Sequence, residues 1–177
     1  VSDPEGPTRN ALRRALEPDF FVHEGWAGRH KHAGERVKYD LVLQPRTHLV
    51  ERGFDDGYVV LEVKLFDRSA KKAHDIKARN LLWQCVAYSF SEIQLPEGRS
   101  QAPLFVLYFL AGHEIEASAR PEFTILHHFV QRGGVGRLDV AAGGDWAMRF
   151  GGSFYFRSRY GRGPHNVGIK RQTGSSR

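Results

Sequence analysis

Asp40, Glu62 and Lys64 are the residues of this 177-residue chain whose types and spacing best suit a reaction centre. Glu62 and Lys64 stand two apart in the run 58–66 (YVVLEVKLF), which is β-branched and aromatic and reads as a strand. Side chains alternate along a strand, so these two leave the same face about 6–7 Å apart. An acid and a lysine set among Val59, Val60, Leu61, Val63, Leu65 and Phe66 carry a desolvation cost that something must offset. A metal centre completed by Asp40 from a neighbouring strand would do so. Two carboxylates, a main-chain carbonyl and water form a hard oxygen donor set, suited to Mg2+ or Mn2+ rather than zinc. The plain alternative is a surface strand with an exposed Glu62–Lys64 pair, and the apolar flanks argue against it.

A helix is expected downstream over 69–93. On it Gln84 and Tyr88 stand at i and i+4, on one side with Lys77 and Leu81. Asp40, then Glu62-Val63-Lys64 closing a strand, then this helix resembles the PD-(D/E)xK nuclease superfamily. The Gln-x-x-x-Tyr pair is similar to the RecB-like and lambda-exonuclease-like branches. The resemblance covers roughly residues 8–110, with Tyr39 where the family has a proline and a long Asp40–Glu62 interval filled by the loop 45–57. It implies that Asp40, Glu62 and the Val63 carbonyl hold the metal, and that Lys64 orients the attacking water or stabilises charge on the phosphate. It further implies that Gln84 holds a metal-bound water or a phosphate, that Tyr88 braces the backbone nearby, and that Glu17 joins from the first helix. Glu24 is a substitute for Glu17, and His23 a metal ligand or a core residue.

Other chemistry-bearing residues point elsewhere. His30 and His32 sit in a basic loop and read as phosphate contacts at most. His127 and His128 are adjacent, so on a strand they face opposite ways and cannot share a site. Cys85 reads as a small core residue. One cysteine excludes an intrachain disulfide and a cysteine-rich zinc site, and a reducing, cytoplasmic setting fits. No glycine-rich nucleotide loop of the strand–loop–helix kind is present.

The elements that must position these residues follow from periodicity and punctuation. Thr8 is expected to cap a helix running to Glu17, with Leu12 and Leu16 on its inner side. Residues 19–25 read as a strand and 25–34 as a turn-rich loop. Residues 36–44 (RVKYDLVLQ) alternate as one strand, with Val37, Tyr39, Leu41 and Leu43 on one side. On the long helix, Leu82, Val86, Phe90 and Ile93 mark the expected buried stripe. Residues 103–110 read as a buried strand, and 123–130 as a strand or short helix. The expected fold is α/β (α+β): a restriction-endonuclease-like mixed central sheet flanked by helices. The expected organisation is a nuclease-like core over 1–130 and a glycine-rich basic extension over 131–177, contacting nucleic acid or partly disordered.

Charge supports that division. The chain carries 26 Lys and Arg against 20 Asp and Glu. No acid follows Asp145, so residues 146–177 carry seven basic side chains and residues 1–145 a net −1. Arg149, Arg157, Arg159, Arg162, Lys170 and Arg171 interleave with Phe154, Tyr155, Phe156 and Tyr160, a pattern suited to a polyanion. Tyr160 or Phe156 is placed to stack on an unpaired base. No apolar run reaches the roughly 20 residues of a membrane span. The expectation is therefore a metal-dependent nuclease, a phosphodiester hydrolase with Mg2+ or Mn2+ as cofactor. DNA is the partner, with RNA left open and pairing into a homodimer compatible with cutting both strands. A phage or mobile-element protein of this size would fit. The alternative is a non-catalytic nucleic-acid-binding or assembly module on the same core, and a docking arm at the glycine-rich end is a third reading.

Overall fold

Pro7 sets the first turn of helix α1 (Gly6–Leu16), where its missing N–H costs nothing. The helix thus begins two residues before Thr8, and its N-cap is Glu5, with no side-chain capping bond. Leu12 and Leu16 form its buried side. The computed structural model describes residues 4–65, 71–111 and 134–165, with the backbone alone over 71–79.

Behind α1, strands β1 (Phe20–Glu24), β4 (Leu41–Pro45) and β5 (Val59–Leu65) run antiparallel side by side. The short helix α2 (Thr47–Glu51) lies in the β4–β5 connection, inside the charged loop expected there. Helix α3 (Lys71–Ser89) leads from β5 to β8 (Phe105–Ala111), which pairs with β5 in parallel. Strand β9 (Val135–Val140) pairs in parallel with β8, and β10 (Trp146–Phe150), β11 (Ser153–Arg157) and β12 (Gly161–Arg162) continue as an antiparallel meander. The result is a mixed eight-stranded sheet in the order β1-β4-β5-β8-β9-β10-β11-β12. A second, four-stranded sheet has the order β3-β2-β6-β7, from Arg36–Lys38, Ala27–His30, Ser91–Gln94 and Ser100–Gln101. The fold is therefore mixed α+β.

Alternation assigns the faces of the large sheet. Leu41, Leu43, Val59, Leu61 and Val63 pack with α1 in one core, and Val42, Val60, Val106, Tyr108 and Leu110 pack with α3 in the other. Among the described residues no helix is long and apolar enough to cross a membrane.

Four expectations need correction. The 36–44 run is not one strand: it divides at Asp40, with β3 in the small sheet and β4 in the large one. Leu41 pairs with Leu61, so an unbroken strand would next place its backbone opposite Val63. Instead the Asp40 carboxylate takes that N–H, with Val63 N donating to Asp40 Oδ2 over 2.9 Å. Tyr39 then turns to the α3 side, where its hydroxyl hydrogen-bonds Ser91 Oγ at 2.6 Å.

The 25–34 loop contains β2, whose Gly28 lies so close to the Tyr39 hydroxyl and the Glu92 carbonyl that any Cβ would collide with both. Helix α3 stops at Ser89, so Ile93 is a buried residue of β6, while Phe90 is exposed and Val86 half-buried. The helix buries Leu81, Leu82, Cys85 and Tyr88 instead.

The region beyond 131 differs most. Its described strands are hydrogen-bonded into the large sheet, and Trp146, Tyr155 and Phe156 lie in the same core as Phe20, Phe54 and Phe105. The glycines there mark turns: Gly144 and Gly151 hold the left-handed backbone, at φ 84° and 65°, between β9, β10 and β11. The expected element over 123–130 and the boundary at 130 lie outside the described residues.

Candidate active site

Strand β5 delivers Glu62 and Lys64 to the α3 side of the sheet, as alternation requires. Glu62 is 2% exposed. Its Oε1 lies 2.7 Å from Lys64 Nζ, a charge-assisted contact at the short end of the range. Asp40 enters from the break before β4, anchored by the Val63 N–H. Tyr88 comes down from α3, with its hydroxyl donating to the Lys38 carbonyl at 3.0 Å and within hydrogen-bonding reach of Glu62.

Helix α1 and its N-cap contribute two residues that the sequence reading missed. Glu5 Oε2 is 3.8 Å from Lys64 Nζ, and Leu65 N points to Glu5 Oε1 at 3.5 Å. Arg9, one turn on, places Nη1 4.0 Å from Asp40 Oδ1 and Nε 3.3 Å from Glu24 Oε1. Four carboxylates therefore gather around two cations. An acid just before a proline-started helix was the available sign of Glu5, since carboxylates favour that end of the helix dipole. Which strand it reaches depends on how α1 docks.

The electrostatics follow from burial. Burial, then the neighbouring Asp40 charge, pushes the Glu62 carboxyl up to about 7, against the opposing pull of Lys64 and Tyr88. For Lys64 burial acts downward, but the hydrogen bond and charge of Glu62, with Glu5 and Asp40, outweigh it and raise the pKa. The two partners do not shift as mirror images. Lys64 has three acids around it and is 19% exposed on its side chain, so its proton is secure. Glu62 is deeper and faces a second carboxylate, so it is the group of the pair that titrates near neutrality. Burial and Glu62 also drive the Tyr88 hydroxyl upward, keeping it a neutral donor.

The cluster thus unites Asp40, Glu62, Lys64 and Tyr88, with Val63 at its edge. Gln84 is half-buried one helical turn before Tyr88, and its side chain forms no hydrogen bond among the described residues. Glu17 is not in the cluster. It sits at the far end of α1, about 18 Å along the axis from Glu5, paired with Arg13 at 2.7 Å. His23 stacks on Trp26, with ring centroids 4.1 Å apart, and burial lowers its pKa. Cys85 is fully buried in the α3 core, and burial raises its thiol well above the ordinary range.

Of the expected nucleic-acid contacts, Arg149 lies over the Phe154 ring at 4.8 Å, and Arg157 lies between Phe154 at 4.8 Å and Tyr160 at 4.7 Å. Arg159 is held by Asp145 at 2.7 Å and Arg162 by Asp55 at 3.2 Å. Phe156, an expected stacking residue, is buried instead. Lys170 and Arg171 lie outside the described residues.

Asp40 and Glu62 offer the hard oxygen donors that a divalent cation prefers, and such an ion would relieve their mutual repulsion. Among the described residues no group of three or more His, Cys, Asp and Glu side chains gathers as a ligand set. A cation here would therefore complete its shell from the main chain, water or substrate oxygens. Comparison of the chain with protein-family models, curated proteins and solved structures gave no match.

Proposed function

We propose that this chain is a metal-dependent nuclease of the PD-(D/E)xK kind, hydrolysing phosphodiester bonds in DNA. The observation that carries the reading is Glu62: a buried carboxyl pushed up to about 7 beside Asp40 and 2.7 Å from Lys64. Keeping two carboxylates this close in an apolar setting costs stability, and perturbed groups of this kind gather where proteins do chemistry. The mixed sheet with helices on both faces agrees with the fold the resemblance implies.

Asp40 and Glu62 would hold Mg2+ or Mn2+, with the Val63 carbonyl as the expected third protein donor. The bound ion would polarise the scissile phosphate and lower the pKa of a coordinated water. Lys64, released from Glu62 when that carboxylate turns to the ion, would donate to the phosphate oxygens as charge builds. Tyr88 would hold the Lys38 carbonyl and, through it, the turn that carries Asp40. Glu5 would keep Lys64 protonated and oriented from its other side.

One observation favours a second reading, a nucleic-acid-binding module with a structural ion cluster. Lys64 and Arg9 already partner Glu62, Glu5, Asp40 and Glu24 within the chain. The separating experiment is incubation of the protein with supercoiled plasmid and with end-labelled linear DNA, with Mg2+, with Mn2+ and with EDTA. Cleavage that requires the ion and is lost in Lys64→Ala supports the nuclease. Binding without cleavage under every condition overturns it in favour of the module.

A further inference from the structure

The strand registers connect the candidate active site to the basic aromatic region. Glu62 pairs with Tyr108 on β8, Tyr108 with Arg137 on β9, Arg137 with Arg149 on β10, and Arg149 with Phe154 on β11. Directly paired residues share a sheet face. Glu62, Tyr108, Arg137, Arg149 and Phe154 therefore form one row across the α3 side of the sheet. The next row carries Asp139, Ala147 and Arg157. At about 4.8 Å per strand, Arg149 lies about 14 Å and Phe154 about 19 Å from Glu62.

The cations of these rows differ from those beyond them. Arg159 and Arg162 are each bound to an acid of their own, Asp145 and Asp55. Arg137 and Arg149 both reach Asp139, at 2.7 and 3.6 Å. No carboxylate pairs with Arg157 among the described residues. Arg157 is held instead between the rings of Phe154 and Tyr160, and its Nε is buried without a partner, as is Nε of Arg149. Tyr160 is 73% exposed. A guanidinium without an acid, braced by rings and beside an open tyrosine, matches a ligand that alternates anionic phosphates with flat bases. A duplex hides its base faces, and an unpaired strand presents them.

We infer that this surface is a track for single-stranded DNA, running from Phe154 and Tyr160 through Arg157 to Arg149, on the sheet face that also carries Glu62. The inference rests on the proposed nuclease for the role of Glu62; its binding test does not.

The test is fluorescence anisotropy of the full chain in EDTA, with a labelled DNA of about 20 nucleotides, single-stranded or duplex, over a salt series. The single strand is expected to bind more tightly than the duplex. Arg149→Ala with Arg157→Ala should lower the single-strand salt slope by about 1.4, and Arg157→Lys should keep the slope of the unaltered chain. Tyr160→Ala should weaken single-strand binding about tenfold and duplex binding less. An unchanged slope in the double variant, or a duplex bound as tightly as the single strand, overturns the track. If the double variant proves unfolded by circular dichroism, Tyr160→Ala decides alone, since its side chain faces solvent. Expected binding without ion-dependent cleavage would leave the track standing and remove the nuclease. Cleavage with unaltered binding in these variants would do the reverse.

Discussion

Lys64 and Arg157 lie on the same face of one sheet, yet the protein treats the two cations differently. Lys64 is drawn in among Glu62, Glu5 and Asp40, and its charge serves the acids around it. Arg157 has rings for neighbours and no carboxylate partner among the described residues. The difference follows from depth. Where α3 covers the sheet, an ammonium persists only with carboxylates beside it. At β11 the sheet is open enough for aromatic faces to suffice, each contact being worth about 0.5–1 kcal/mol at exposed sites. A basic side chain is thus accommodated in two ways in two dielectric settings.

The strongest challenge to this comparison is to separate the regions physically. Truncation before Trp146 should abolish cooperative unfolding, because Trp146, Phe150, Tyr155 and Phe156 complete the core around Phe20, Phe54 and Phe105. A thermal melt of the truncated chain checks it. A cooperative transition would show that the basic strands are an appendage after all.

Next in size is Lys64→Ala, expected to reduce the cleavage rate by about 10²–10³. Affinity for DNA should stay within a few-fold, since one half-buried charge is removed and the outer cations remain. Single-turnover cleavage alongside binding in EDTA reads both quantities.

Glu62 sharpens the comparison through pH. Its folded pKa of about 7 exceeds the unfolded value of 4.5, so the native state holds the extra proton between them. In the absence of metal, stability should therefore be highest below about pH 4.5 as far as this group is concerned, and fall as pH rises through about 7. The loss is on the order of 3 kcal/mol. Glu62→Gln should flatten this part of the profile in urea titrations between pH 4.5 and 8. An ion-dependent activity that needs the carboxylate should rise across the same window.

The smallest effect belongs to Tyr155→Phe. The Tyr155 hydroxyl accepts from Asp55 N and donates to Asp55 Oδ2, both at 2.9 Å. Removing it should cost about 1–2 kcal/mol in chemical denaturation and leave the salt slope of DNA binding unchanged.

The sequence made some of this legible and hid the rest for physical reasons. Glu62, Lys64 and Tyr88 could be found because their relations are local: two residues on a strand, one turn on a helix. Asp40 could be assigned to the neighbouring strand, but its role in dividing that strand could not. The alternation of 36–44 passes through the break undisturbed, and only the Val63 N–H reveals that a side chain has replaced the backbone there. Glu5 depends on the docking of α1, which no spacing encodes. In the last third, the glycines drew attention from a better signal, the alternation of Trp146, Met148 and Phe150, which marks a strand with one buried face.

The carboxylate that closes the ladder at Val63 also makes position 40 answerable to two demands at once. A substitution there that silences the protein says little by itself, because Asp40→Ala would both unzip the junction of the two sheets and remove a donor from the proposed reaction centre. Asparagine separates the demands: it preserves an oxygen for the Val63 N–H while discarding the charge. Sequence drift at this position would then be channelled toward side chains that still accept from the Val63 N–H, as Asp40→Asn does. Under the proposed nuclease, Asp40→Asn beside an intact Lys64 is expected to give a folded chain that binds DNA without cutting it.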